Sequence, residues 1–249
     1  MVIYESSKIS ETVKSWLTNY NTLLSKEGQI PQNLYIQPSV LTAPGDLGKV
    51  FATFFAWAGA ESDQSQSWQD KITNLHSAVV ASTIKTTTQA ALVAEVTSMV
   101  SPVVIRGLSQ AVSIQGPEIP PDVIDICAKH AELQPLGALF SFHSLHGVST
   151  RDYPASVFRN RVPHYMGEIV GLADDEEMAE ACGKWAADFA ADLRRSTSAL
   201  ESSYVSLVPL EDATPEKVYG PEKLQQVLDL KREFDPRGVF KNAIPKLQV

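Results

Sequence analysis

Several familiar sequence features are scarce or absent in this chain. Only two of its 249 residues are cysteine, Cys127 and Cys182, so no disulfide framework holds it and a hydrophobic core must. No apolar run approaches the ~20 residues that a membrane span needs. The opening MVIYESSKIS has no apolar stretch long enough for a signal peptide, and the expectation is a cytoplasmic protein. Basic residues number 21 against 29 acidic, a net charge of −8, and they form no cluster. Duplex nucleic acid and anionic membrane both require a basic footprint, so neither is an expected partner. The 13 glycines are scattered, with Gly45 and Gly48 as the closest pair. Neither Gly-x-Gly-x-x-Gly nor a Walker-type loop occurs, which excludes a standard glycine cradle for phosphate. Gly-x-Ser-x-Gly is also missing, so there is no nucleophile elbow.

What remains is an ordinary globular composition, 44% hydrophobic and 20% charged, at a length that suits one domain over 1–249. A short β-prone VIY is followed by a helix that Ser10 can cap, with Val13, Trp16, Leu17, Tyr20 and Leu24 on one face and Gly28 at its end. Strands are expected at 33–42 and 49–58, joined by the turn-forming Pro44-Gly45-Asp46, and a helix at 63–76. Between 77 and 115 the pattern reads strand, helix, strand. Pro120-Pro121 opens a helix carrying Val123, Ile126, Cys127 and His130, and strands follow at 136–146 and 157–170. The helix over 174–196 begins on Asp174, Asp175, Glu176 and Glu177 and ends on Arg194 and Arg195, complementing the helix dipole. A strand at 202–209, a helix at 221–234 and a tail complete the chain. Strands and helices interleave without strict βαβ alternation, so the expected class is α+β, an antiparallel sheet covered by helices.

Candidate chemistry lies in two otherwise apolar strands. The first carries His143 and Ser144; the second carries Arg159, Asn160, Arg161, His164 and Tyr165. Imidazole titrates near neutrality, and Arg and Tyr can hydrogen-bond a developing oxyanion. His143 and His146 fall on opposite faces of a strand, which argues against a shared metal, and no metal site is expected. Phe54, Phe55 and Trp57 read first as core.

The C-terminal stretch is the most specific feature. Tyr204-Val205-Ser206, Tyr219-Gly220, then Leu228, Leu230, Lys231, Phe234-Asp235-Pro236 and Val239-Phe240 follow one another in order. This pattern resembles the closing signature of the berberine-bridge-enzyme-like FAD-linked oxidoreductases of the vanillyl-alcohol-oxidase superfamily. That family shows Tyr-Val-Asn on a strand, a Tyr-Gly, then Leu-Lys, an aromatic-Asp-Pro and a Phe. The opening VIY, FATFFAWAG and Phe158-x-x-Arg161 match the family's substrate domain in order, so the resemblance spans nearly the whole chain and is strongest over 202–241. In the family the flavin sits in an N-terminal domain with glycine-rich phosphate loops. This chain begins where that domain would end, and so resembles the second half alone.

Three local departures bear on chemistry. Ser206 stands where the family has the Asn that approaches the flavin. His143 and Ser144 stand where many members have a Glu-Gln-x-Gly-Gly run with a catalytic carboxylate. Phe158-Arg159-Asn160-Arg161 replaces Phe-Pro-His-Arg. Together with the missing phosphate loops, they lead to the expectation of a cofactor-free, non-redox enzyme. Such an enzyme would be a cyclase or pericyclase such as a Diels-Alderase, or an isomerase, acting on a polyketide- or terpenoid-like intermediate. His143, Arg161 and Tyr165 are then the catalytic candidates, with Trp57, Phe158, Arg159, Tyr204 and Ser206 binding the substrate. Two alternatives stay open: the C-terminal half or subunit of an FAD-linked oxidoreductase, and a non-catalytic small-molecule-binding module. A homodimer is expected, to cover the apolar surface that the flavin domain would otherwise hide.

Overall fold

The computed structural model describes residues 1–43, 47–99, 109–171, 173, 175–202 and 204–248. The expected turn at Pro44-Gly45-Asp46 and the expected helix opening at Asp174 lie outside these described residues. The elements run β1 (Val2–Tyr4), α1 (Ile9–Glu27), β2 (Leu34–Thr42), β3 (Lys49–Trp57), α2 (Asp63–Thr73), β4 (Val79–Ser82) and α3 (Gln89–Met99). They continue with β5 (Ser109–Gln115), α4 (Pro121–Leu133), β6 (Ala138–Leu145), β7 (His164–Gly171), α5 (Glu176–Arg194) and α6 (Pro215–Phe234). The seven strands form one sheet in the order β4-β1-β3-β2-β6-β7-β5, every pairing antiparallel. The expected α+β class, an antiparallel sheet with helices, is what forms.

One face of the sheet carries the core because the strands alternate. Leu34, Ile36 and Val40 of β2, Phe51 of β3, Phe140 and Phe142 of β6, and Tyr165 and Ile169 of β7 are buried together with the apolar stripes of α1, α4 and α5. Trp16 of α1 packs on Phe51 at 5.4 Å between ring centroids, and Phe189 of α5 packs on Phe140 at 5.0 Å. Each large side chain buried this way contributes about 1.5–3 kcal/mol. Helix α1 starts at Ile9 with Lys8 at the cap, ahead of the expected Ser10, because Thr12 Oγ1 donates back to the Glu5 carbonyl at 2.9 Å and anchors the first turn. Gly28 ends α1 as expected: its φ of 80° suits glycine, and its N–H donates to the Leu24 carbonyl.

Two expected strands need correction. The strand over 157–170 shortens to β7, beginning at His164, so Arg159 and Arg161 lie in the preceding loop. Pro163 has no N–H for the ladder, and the strand starts directly after it. The described residues of the expected strand at 202–209 form no strand; Ser203 lies outside them. The chain bridges the outer edge of β5 once, at Ile114–Ala199, and then folds over it so that Val208 and Ala213 pack on Ala111. The final helix starts six residues earlier than expected, at Pro215, and kinks at Gly220, whose φ of 72° leaves the helical region. At its end Asp235 pairs with Lys231 and accepts the N–H groups of Val239 (2.7 Å) and Phe240 (3.1 Å). The Phe-Asp-Pro signature is therefore a helix-closing device.

Helices α4 and α5 are tied together by Asp192, which accepts from Lys129 Nζ (2.7 Å) and His130 Nε2 (2.8 Å). Hydrogen bonds from Lys129 and His130 hold its carboxyl down to about 2, from an ordinary 3.8. A depressed carboxyl stabilises the fold above its unfolded value, and that contribution disappears as the pH falls through the folded one. Asp192→Asn should therefore lower the urea midpoint at pH 7, with the gap to wild type narrowing between about pH 4 and about pH 2. A pH-independent gap would show that the charge is not what matters. Helix α5 also presses on β7 at Gly171, where an added Cβ would sit 2.6 Å from Cys182 Cβ. Gly171→Ala should destabilise the protein by about 1–3 kcal/mol in urea titration, the usual cost of overpacking.

Candidate functional site

The alternation that sends one set of side chains into the core sends the other set to the opposite face. There Tyr35, Gln37 and Ser39 of β2 lie beside Ser141 and His143 of β6 and Met166 and Glu168 of β7; Ser39 is directly opposite Ser141, Ser141 opposite Glu168, and His143 opposite Met166. No described helix buries an apolar stripe against this face. The described side chains of α3 are exposed or half-buried, and α6 buries only Gly220.

These polar groups form a connected chain. Glu168 Oε2 accepts from Ser141 Oγ at 3.1 Å and lies 2.9 Å from His143 Nε2. His143 Nδ1 lies 2.6 Å from the Tyr35 hydroxyl, which is also 2.8 Å from Gln37 Oε1. Glu168 is half-buried, yet the hydrogen bond from His143 holds its carboxyl below the usual range, outweighing desolvation. It is therefore an ionised acceptor at neutral pH, and His143 Nε2 must carry the proton between them. Tyr35 is pushed the other way, well above its ordinary value, by burial first and by the Glu168 charge second. Its phenol thus stays protonated at rest.

A phenol has one proton, and Tyr35 has two neighbours that can receive it. If the proton points to His143 Nδ1, the ring is neutral. If it points to Gln37, Nδ1 itself holds a proton and donates to the phenol oxygen. The two arrangements differ by one proton, so the set can take up a proton delivered at Tyr35. A carboxylate orients an imidazole, which in turn takes the proton of a hydroxyl, the logic by which positioned side chains perform general base chemistry.

Among the residues singled out from sequence, the structure places His143 in this chain and separates the rest from it. Tyr165 points to the core face, where its hydroxyl donates to the Pro117 carbonyl at 2.5 Å and lies 3.2 Å from Tyr20. Arg161 is held in the loop by the Ser149 carbonyl (2.9 Å) and Ser156 Oγ (2.7 Å), with its guanidinium 4.8 Å from the Phe158 ring centroid. Arg159 packs against Gly220, where an added Cβ would meet its Nε at 2.9 Å. Phe158, Arg159 and Arg161 line a separate cleft with Tyr219. Tyr204 and Ser206 are exposed in the turns beyond β5, and Trp57 at the end of β3 packs against the core. Tyr35, Gln37, Ser141 and Glu168 were not among the candidates. Their signal was available: polar side chains two residues apart in otherwise apolar strands, and one lone carboxylate in HYMGEIVG.

No family model matches the chain. Among curated proteins it is 27% identical over 217 residues to the FAD-linked oxidoreductase aurO of Gibberella zeae, covering 85% of this chain and 41% of that protein. Among solved structures it superposes on BBE-like 1 of Physcomitrella patens with a TM-score of 0.73 at 12% identity, covering 96% of this chain and 51% of that one. It superposes on 6-hydroxy-D-nicotine oxidase of Arthrobacter nicotinovorans with a TM-score of 0.70 at 16% identity, covering 95% and 51%. The chain thus shares its fold with part of BBE-like 1 and part of 6-hydroxy-D-nicotine oxidase, and it spans about half the length of the proteins it matches. No described helix is long and apolar enough to cross a membrane.

The expectation of a cofactor-free protein is overturned by this match. The curated relative is FAD-linked, and this chain covers less than half of it, so the lack of phosphate loops here says nothing against flavin. The residues present fit one part of such a group. The open face offers acid–base side chains suited to chemistry beside a redox ring, whereas the scattered glycines offer no cradle for its phosphates.

The electrostatics can be tested directly. Glu168→Gln removes the charge that adds to burial in raising Tyr35, so the Tyr35 phenol should titrate at lower pH, though still above its ordinary value. Ultraviolet titration of wild type, the variant and Tyr35→Phe reads this out. An unchanged Tyr35 titration would break the link between the two residues.

Proposed function

We propose that this chain forms the substrate-facing half of an FAD-linked oxidoreductase, with Tyr35 and His143 as the proton-accepting pair for oxidation of a hydroxyl-bearing substrate. The carrying observation is the Glu168–His143–Tyr35 chain on the face of the sheet against which no described helix buries an apolar stripe, in a fold otherwise seen joined to as much protein again. Flavin, when bound, supplies the two-electron acceptor. Oxidation of a carbinol removes a hydride equivalent from carbon and leaves the hydroxyl proton to be collected. Tyr35 oxygen takes that proton as its own passes to His143 Nδ1, and the ionised Glu168 stabilises the charge that the ring acquires.

The half-burial of the site serves this role, because each charge–charge interaction strengthens as water leaves. The exposed apolar residues beyond α6, among them Val239 and Phe240, would meet the flavin-binding half on this reading; a second copy of the chain is the competing cover. The native protein containing this chain should carry flavin after purification. In that protein, Tyr35→Phe and His143→Gln should each slow flavin reduction by an alcohol substrate by about 100-fold or more, with flavin content unchanged. Native protein without flavin, or reduction rates equal to wild type, would contradict the proposal.

A further inference from the structure

A cavity of about 430 Å³ opens at the ends of β6 and β7, against the loop that follows α1. Its lining shares no residue with the Tyr35–His143–Glu168 chain, and no Asp, Glu, Lys or Arg is among the described residues around it. Ile30, Leu145, Pro117 and Pro163 give it apolar walls. Its polar lining residues are Gln29, Gln32, Ser144, His146, Thr150, His164 and Tyr165. His164 is 4% exposed, and its Nδ1 lies 2.8 Å from the Val162 carbonyl. A carbonyl only accepts, so Nδ1 carries the proton, and in the neutral ring Nε2 presents a lone pair. Nε2 has no hydrogen-bond partner among the described residues, yet it is not among the buried atoms closed off from solvent. Burial also favours the neutral ring.

A neutral acceptor fixed in one tautomer, apolar walls and a described lining without carboxylate, ammonium or guanidinium define a narrow class of occupant. A charged ligand would lose its hydration with no partner of opposite sign. A purely apolar one would leave the His164 lone pair desolvated and unpaired. Ser144 adds a hydroxyl whose oxygen already accepts from the Ile36 N–H at 3.2 Å, leaving its proton free to donate. We infer that this cavity is a binding site for an uncharged, partly apolar compound bearing hydroxyl groups, with one hydroxyl donating to His164 Nε2. The size is within the usual ~300–1,000 Å³ of small-molecule sites. The inference does not rest on the flavin reading, since its argument uses only the His164, Ser144 and wall residues of this chain.

The test uses the full chain labelled with ¹⁵N in its histidine rings and titrated with resorcinol, with 1,3-dimethoxybenzene as a probe that keeps the ring and both oxygens but cannot donate. Resorcinol should move the His164 Nε2 resonance saturably towards that of a hydrogen-bonded acceptor, leave Nδ1 nearly unchanged, and bind more tightly than the dimethoxy probe. His164→Phe should weaken resorcinol binding about 3- to 10-fold, the effect of one lost hydrogen bond. The wild-type titration stands alone if that buried variant folds poorly. Three results would each overturn the inference: no saturable change at His164, equal binding of the two probes, or a response centred on His143.

Discussion

Glu168 sits on a strand whose alternate side chains are sunk in the core, and it remains ionised because His143 and Ser141 hydrogen-bond to it. This arrangement imposes most of what surrounds it. An ionised carboxylate accepts and never donates, so it sets which nitrogen of His143 carries a proton and turns the other towards Tyr35. The same negative charge adds to burial in keeping Tyr35 protonated, so the phenol rests as a hydrogen-bond donor rather than as an anion. Without Glu168 the remaining groups would be polar side chains on a sheet; with it they form a directed path.

That path exists because the two faces of the sheet are chemically different. Helices α1, α4 and α5 pack their apolar stripes against one face, and Trp16, Phe51, Phe140 and Phe189 make it rigid. A rigid backbone holds β2, β6 and β7 in register, and register fixes the spacing of Tyr35, His143 and Glu168. The Asp192 network between α4 and α5 and the tight contact at Gly171 and Cys182 help to hold this register.

Much of the fold was legible in the sequence, and the reasons are local. Strands β2 and β3 and helices α1, α4 and α5 announce themselves by period, by caps and by Gly28, all of which depend on neighbours in the chain. The strand expected at 202–209 failed because alternation alone does not supply a partner edge; the chain bridges β5 once and turns away. Tyr165, a catalytic candidate from sequence, lies one residue out of phase with the polar face, and locating that phase requires knowing where β7 begins. Pro163 was the clue. The carboxylate in HYMGEIVG is hard to single out from sequence, because the basic residues before that proline look like part of the same strand and in fact belong to a loop. The reading of a protein without cofactor failed for a different reason. It took a missing phosphate loop as a property of the whole protein, whereas the matching proteins are about twice as long.

The central claim is that the Tyr35–His143–Glu168 face is the one that works beside a flavin. A crystal structure of the native, flavin-loaded protein containing this chain tests it most directly. The account predicts the flavin ring in front of the open face, with the Tyr35 hydroxyl turned towards the space between ring and sheet. A ring bound on the α1, α4 and α5 side, or separated from Tyr35 by an intervening element, would contradict it.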